Sequence, residues 1–109
     1  MREATIQKII DVKPVENSDN LDVVKILGWD VVTKRHEFSV GEYVVYVEID
    51  ALLPSDNPDF AFMEARGFRV KTIKLRGQYS FGLVFPLSIL ENENRKIFEI
   101  NNEYFLETI

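Results

Sequence analysis

Short runs of Val, Ile, Leu, Phe and Tyr recur along the chain between turn-forming residues, and no long stretch repeats its apolar positions at the helical period, so the pattern predicts mostly β structure. The first run, Ala4 to Val12, closes at Pro14 and opens into the turn-like segment Glu16, Asn17, Ser18, Asp19, Asn20. Leu21 to Leu27 follows, with Leu21, Val23 and Leu27 on one parity and Val24 and Ile26 on the other, as suits a strand partly covered on both faces. Gly28, Trp29 and Asp30 read as a tight connection into Val31 to Lys34, which predicts a hairpin. Val40, Gly41 and Glu42 lead into a strand from Tyr43 to Ile49, and Pro54 marks the exit. A short helix is expected between Asp56 and Arg66, with Asn57 as its cap and Pro58 in its first position. Phe60 and Met63 would face inward, with Phe62 as a further candidate, and Gly67 would end the helix. Phe68 to Leu75 and Gly82 to Phe85 supply two more strands, with Gly77 between them and Pro86 as the stop, and Leu87 to Leu90 reads as a helical turn.

Six short strands, one helix before the last pair and no βαβ alternation suggest a small antiparallel Greek-key barrel, closed or nearly so. The OB-fold places a helix between its third and fourth strands, and this order fits it better than a sandwich. The expected fold class is therefore all-β with one short helix, an OB-fold over residues 1–90. Residues 91–109 form an acidic C-terminal extension with scattered apolar side chains.

Composition narrows the chemistry. With 109 residues, 46% hydrophobic and 28% charged, the chain has the usage of one ordinary globular domain. It has no cysteine and one histidine, which excludes disulfides, thiolate metal sites and a histidine metal cluster. No run approaches the roughly 18 apolar residues of a membrane span, and MREATIQKII lacks the apolar core of a secretory signal. An intracellular domain without a membrane partner is the expectation.

The net charge of −5 argues, as an average, against a polyanion binder. Divided by position it changes meaning. Residues 1–64 carry 6 basic and 13 acidic groups, for −7; residues 65–90 carry 5 basic and no acidic groups, for +5; residues 91–109 carry 2 and 5, for −3. The five cations of the middle part, Arg66, Arg69, Lys71, Lys74 and Arg76, precede Gln78, Tyr79, Ser80 and Phe81. Phosphate recognition needs closely spaced cations and donors, and base recognition needs aromatic faces or amide edges beside them. A solvated outer strand face is the alternative account of the same residues. A regular strand would put Arg69 and Lys71 on one face and Lys74 and Arg76 on the other, unless a bulge near Thr72 reunites them. Trp29, Tyr43, Tyr46, Tyr79 and Phe81 are candidate stacking residues; barrel aromatics are more often core, and Tyr79, set between Gln78 and Ser80, is the best exception. Lys34, Arg35 and His36 make a second, smaller basic patch, for which a solvated loop is the simpler account.

Catalytic patterns are missing. The sequence has neither a GxxxxGK phosphate loop nor GxGxxG, and Ser80 lacks the glycine spacing of a nucleophile elbow. Glu48 with Asp50 and Asp56 with Asp59 are carboxylate pairs of the kind loops usually leave solvated.

Residues Ile26 to Pro54 (ILGWDVVTKRHEFSVGEYVVYVEIDALLP) and Lys71 to Leu90 (KTIKLRGQYSFGLVFPLSIL) carry a resemblance to the N-terminal OB domain of a family of ATP-dependent RNA ligases. It rests on Gly28, Trp29, Val31, Val32, Glu37 and Phe38 in order, on VEID ending in LLP, and on KLRGQ with SxGL. The likeness spans roughly Thr5 to Leu90. In that family the OB module precedes a nucleotidyltransferase domain whose lysine, in a KxDG setting, is adenylated by ATP with a divalent metal; the enzyme then joins an RNA 5′-phosphate to a 3′-hydroxyl. This chain has no Asp-Gly pair, so the resemblance implies a non-catalytic accessory module with no cofactor of its own. Its partners would be RNA, as a nicked duplex or RNA ends, and the ligase's own nucleotidyltransferase domain, toward which residues 91–109 lead. The implied RNA contacts are Lys74, Arg76, Gln78 and Ser80, with Arg69, Lys71, Tyr79, Lys34 and Arg35 as further candidates. The tRNA-binding OB modules of some aminoacyl-tRNA synthetases share part of the pattern through NSDNLDVV (Asn17 to Val24), although GWDVV and VEIDALLP fit the ligases better. A third reading is a structural module that docks on its catalytic domain through the basic window.

Overall fold

A computed structural model describes residues 4–53, 55 and 58–90. Among the described residues eight short strands are formed: β1 (Ala4–Lys8), β2 (Asp11–Pro14), β3 (Leu21–Ile26), β4 (Trp29–Lys34), β5 (Tyr43–Val47), β6 (Ile73–Leu75), β7 (Gln78–Ser80) and β8 (Leu83–Pro86). Two 3₁₀ segments, Pro58–Arg66 and Leu87–Leu90, complete the described elements. Pro54, Asp56, the expected cap Asn57 and the 91–109 extension lie outside the described residues.

The strands pair in the orders β1-β5-β8, β2-β3-β4 and β6-β7, all antiparallel. Two junctions join the first two groups into a ring. At the first, the run expected to be one strand from Ala4 to Val12 changes neighbours: Ile9 N–H donates to the Glu42 carbonyl beside β5, and Ile10 N–H donates to the Lys25 carbonyl of β3. This corner lets one stretch of chain serve both sides of a barrel, and it leaves Ile10 exposed.

The second junction lies between β4 and the β7–β8 stretch. Counting reversals around the ring, these two run in the same direction. Phe81 N–H donates to the Asp30 carbonyl. A regular parallel ladder would next carry Val32 N–H to the Phe81 carbonyl. Instead Val32 N–H donates to Ser80 Oγ at 2.9 Å, and the Phe81 carbonyl accepts the Tyr46 hydroxyl at 2.7 Å. Side chains thus finish a seam that backbone pairing leaves incomplete, in the OB-fold ring order. The ring also corrects the expected helix position. Counted as barrel strands, the 3₁₀ segment follows the fourth (β5) rather than the third (β4), because β5 is the strand that pairs with β1.

β5 explains its own unbroken apolar sequence, YVVYV. Val44 and Tyr46 join Ile9, Val24, Ile26, Val31 and Phe38 inside the barrel, whereas Val45 and Val47 join Ala4, Ile6, Phe60, Met63 and Val70 beneath the first 3₁₀ segment. A strand buried on both faces has no room for alternating polar residues. With three residues per turn, Phe60 and Met63 eclipse and are buried together, which leaves Phe62 exposed, contrary to its candidacy for the core. Gly67, at φ 62°, ends the segment as expected, with Phe68 N–H returning to the Met63 carbonyl.

Turn chemistry shifts other boundaries. Leu27 and Gly28 both have positive φ, 53° and 88°, and join Ile26 to its partner Trp29; this two-residue turn puts Trp29 and Asp30 in β4 rather than in the connection. Arg76 and Gly77, at φ 51° and 84°, form a second such turn, so the expected strand from Phe68 to Leu75 is a regular strand only over β6 and gains an unanticipated partner, β7. Upstream, Arg69 makes a single bridge to Leu52.

Two outcomes follow from the seam. A Cβ at Gly82 would lie 2.5 Å from the Val47 carbonyl and 2.8 Å from the Tyr46 ring, at a φ of 121°. Gly82→Ala is expected to cost about 2–4 kcal/mol in urea unfolding through overpacking and backbone strain, and a loss below about 0.5 kcal/mol would contradict the close approach. Burial, helped by the Glu48 charge, pushes the Tyr46 phenol from its ordinary 10.0 up to about 12. The protonated phenol is thus favoured in the fold; its contribution is full below pH 10 and is lost as pH rises toward 12. Tyr46→Phe should be less stable than the native chain by about 1–3 kcal/mol at neutral pH, and that gap should shrink between pH 10 and 12. A gap independent of pH would show that the phenol titrates normally.

Candidate nucleic-acid interface

The β6–β7 hairpin divides the basic-aromatic motif by parity. Its cross-strand pairs are Ile73 with Ser80, Lys74 with Tyr79 and Leu75 with Gln78, so Lys74 and Tyr79 share one face and the other two pairs share the opposite one. The inner face belongs to the barrel. Ser80 is only 2% exposed, with its hydroxyl committed to the Val32 amide. Gln78 is half-buried and lines a cleft with Asp11, Lys13, Val23, Lys25 and Asp30 on the outer surface of β2-β3-β4. Salt bridges join Lys13 to Asp11 (3.5 Å) and Lys25 to Asp30 (3.1 Å), so the charges lining that cleft balance.

The outer face is different. Lys74 Nζ sits 5.1 Å from the centroid of the Tyr79 ring. Tyr79 and Phe81, two residues apart, stack with centroids 6.2 Å apart and planes 28° from parallel. Phe81 in turn meets Trp29 at 5.5 Å, tilted by 48°. Tyr79 is 52% and Trp29 43% exposed, high values for large aromatics. A continuous row, Lys74, Tyr79, Phe81, Trp29, therefore runs from the hairpin to the end of β4. Such a surface offers π faces and a cation side by side, the two elements single-stranded nucleic acid engages.

The remaining candidates separate according to what they already bind. Arg66, Lys71 and Arg76 are exposed, and Arg76 occupies the hairpin turn. Arg69 is exposed and donates from Nη1 to the Asp50 carbonyl. None of the five window cations forms an ion pair with a described residue. Arg35 is committed elsewhere: its Nε lies 2.8 Å from Asp22 Oδ1 and also reaches the Leu21 carbonyl, and its Nη2 donates to the Ser18 carbonyl. Asp22, 4% exposed, further accepts His36 N–H. This cluster ties the Glu16–Asn20 turn to the end of β4, which gives the NSDNLDVV segment a structural role. Lys34 is exposed at the far end of β4, about 16 Å along the strand from Trp29 at some 3.3 Å per residue.

Of the five candidate stacking aromatics, Tyr46 is core and Tyr43 packs half-buried against the cluster beneath the 3₁₀ segment, whereas Trp29, Tyr79 and Phe81 meet on one surface. The grouping was partly legible, since Tyr79 and Phe81 have the period of a strand face. Trp29 joins them only because the Leu27-Gly28 turn and the β4–β7 seam bring two distant hairpins together. Among the described residues, no group of three or more His, Asp or Glu side chains could hold a metal ion, and no helix is long and apolar enough to cross a membrane.

Comparison with known proteins agrees with this architecture. The profile of the PHA02142 OB-fold domain family matches residues 3–87. Among solved structures, the chain is similar to a Naegleria gruberi RNA ligase with PPi, at 28% identity and a TM-score of 0.76, over 87% of this chain and 31% of that one. It is also similar to a mutant of that ligase with ATP and Mn, at 26% identity and a TM-score of 0.75, over 89% of this chain and 34% of that one. No curated protein matches. The chain spans about a third of the length of these ligase chains. Residues 3–87 account for most of the molecule, and the chain accordingly belongs to the PHA02142 OB-fold domain family, with a barrel similar to the N-terminal part of an RNA ligase.

Proposed function

We propose that this chain is the RNA-binding accessory domain of an ATP-dependent RNA ligase, which helps hold RNA ends or a nicked duplex while a nucleotidyltransferase domain joins 3′-hydroxyl to 5′-phosphate. The observation that carries the reading is the outer face of the β6–β7 hairpin, where Lys74 and exposed aromatics stand together in a segment of the chain without a carboxylate. Lys74 and Arg76 are the principal phosphate contacts, with Arg69 and Lys71 as flanking cations and Lys34 as a separate, more distant one. Ser80 and Arg35 leave the contact set because their polar groups already serve the fold. Gln78, on the inner face, reaches RNA only if a strand also enters the cleft over β3 and β4.

ATP and a divalent metal belong, in this reading, to the nucleotidyltransferase domain, because the sequence has no KxDG lysine. The role of the OB module is electrostatic grip and alignment, and the acidic groups that dominate residues 1–64 confine RNA to the hairpin side. Residues 91–109 would connect the module to the catalytic domain.

Two measurements test this. Binding of a nicked RNA duplex across a salt series should give a linear log-log dependence whose slope falls by up to about 1.8 in the double variant Lys74→Ala, Arg76→Ala, at about 0.9 per lost phosphate contact. An unchanged slope removes both residues from the interface, and tighter binding of a tRNA than of the nicked duplex would favour a tRNA-binding module. Incubation of the chain with labelled ATP and Mn should leave it unmodified; a lysine-linked AMP would overturn the accessory role.

A further inference from the structure

Phosphate contacts account for the cations of the hairpin but not for its aromatics. Leaving Tyr79 and Trp29 about half exposed forgoes burial that a small barrel could use, whereas Tyr46 and Phe38 are committed to its interior. The Tyr79 and Phe81 rings are held near parallel by their strand spacing, and Trp29 closes one end of the row. Lys74 stands over the other end, and Arg76 follows in the turn. A fully paired duplex hides its base faces in the stack and presents phosphate and sugar, so it has no use for such a row. An unpaired nucleotide offers both a π face and a phosphate. The charge-balanced cleft over β2-β3-β4 offers an anion no net attraction, which directs a flexible strand to the outer face instead.

Building on the RNA-binding reading, we propose that Tyr79, Phe81 and Trp29 form a stacking site for an unpaired nucleobase, with Lys74 and Arg76 on the adjoining phosphate. The domain then favours a frayed or single-stranded end over continuous duplex. The site lies on the outer face of the hairpin, away from the cleft that Gln78 lines.

Trp29 is the one tryptophan of the chain, so its fluorescence reports on the site directly. Titration with a single-stranded RNA of about ten nucleotides should quench it, and the same strand with abasic sugars should bind through phosphate alone and quench little. Tyr79→Ala should weaken single-stranded binding about ten-fold or more without changing the salt slope, and Tyr79→Phe should restore the native affinity. Equal binding of the abasic and normal strands, or a Tyr79→Ala variant with unchanged single-strand affinity, overturns the stacking site. If the nicked duplex still binds with the Lys74- and Arg76-dependent slope in that case, the accessory RNA-binding role survives alone. Absence of binding to either RNA overturns both.

Discussion

The barrel depends on one seam. Between β4 and β7 the backbone offers a single hydrogen bond at Phe81, and two hydroxyls supply what is missing, Ser80 to the Val32 amide and Tyr46 to the Phe81 carbonyl. Tyr46 can reach that carbonyl only because residue 82 has no side chain, so the glycine, the phenol and the serine form one device. Closure removes the open edges that a small sheet would otherwise expose. It also fixes Phe81 with its backbone in the seam and its ring on the surface, which ties the position of the aromatic row to the integrity of the fold.

The rest of the core is arranged around β5, whose two buried faces serve two separate clusters. The barrel interior lies on one side and the 3₁₀ segment packs on the other, so one short strand anchors both. The same economy governs charge. Asp22 sits on the buried parity of β3 with Val24 and Ile26, and its carboxylate is matched by Arg35 and the His36 amide. A buried carboxylate without such partners would be strongly destabilising. Arg35 is thereby withdrawn from any external role, and Lys13 and Lys25 are neutralised in the cleft.

What is left over is the hairpin surface. Removing the paired charges concentrates the basic character of this acidic chain in Arg66 to Arg76, and parity then selects Lys74 and Tyr79 for the outside. The likeness to an RNA ligase covers about a third of that chain.

Much of this was written in the sequence. The strand runs, the turn residues, the closing Gly67 and the segregation of charge into a window without carboxylates are local features, set by side-chain period and composition. The OB-fold follows from their order, and the ligase likeness from KLRGQ, SxGL and VEID together. Which residues of the motif face solvent was not legible, because a β-strand turns every side chain over when its pairing register slips by one residue. The Arg76-Gly77 turn, read as a gap between strands, created β7 and placed Ser80 inside and Tyr79 outside. Asp22 and Arg35 lie thirteen residues apart, and Trp29 and Phe81 fifty-two apart; no local pattern pairs them. The sequence alone determined the elements and where charge could gather, whereas barrel closure, a matter of long-range pairing, decided which side chains were left exposed.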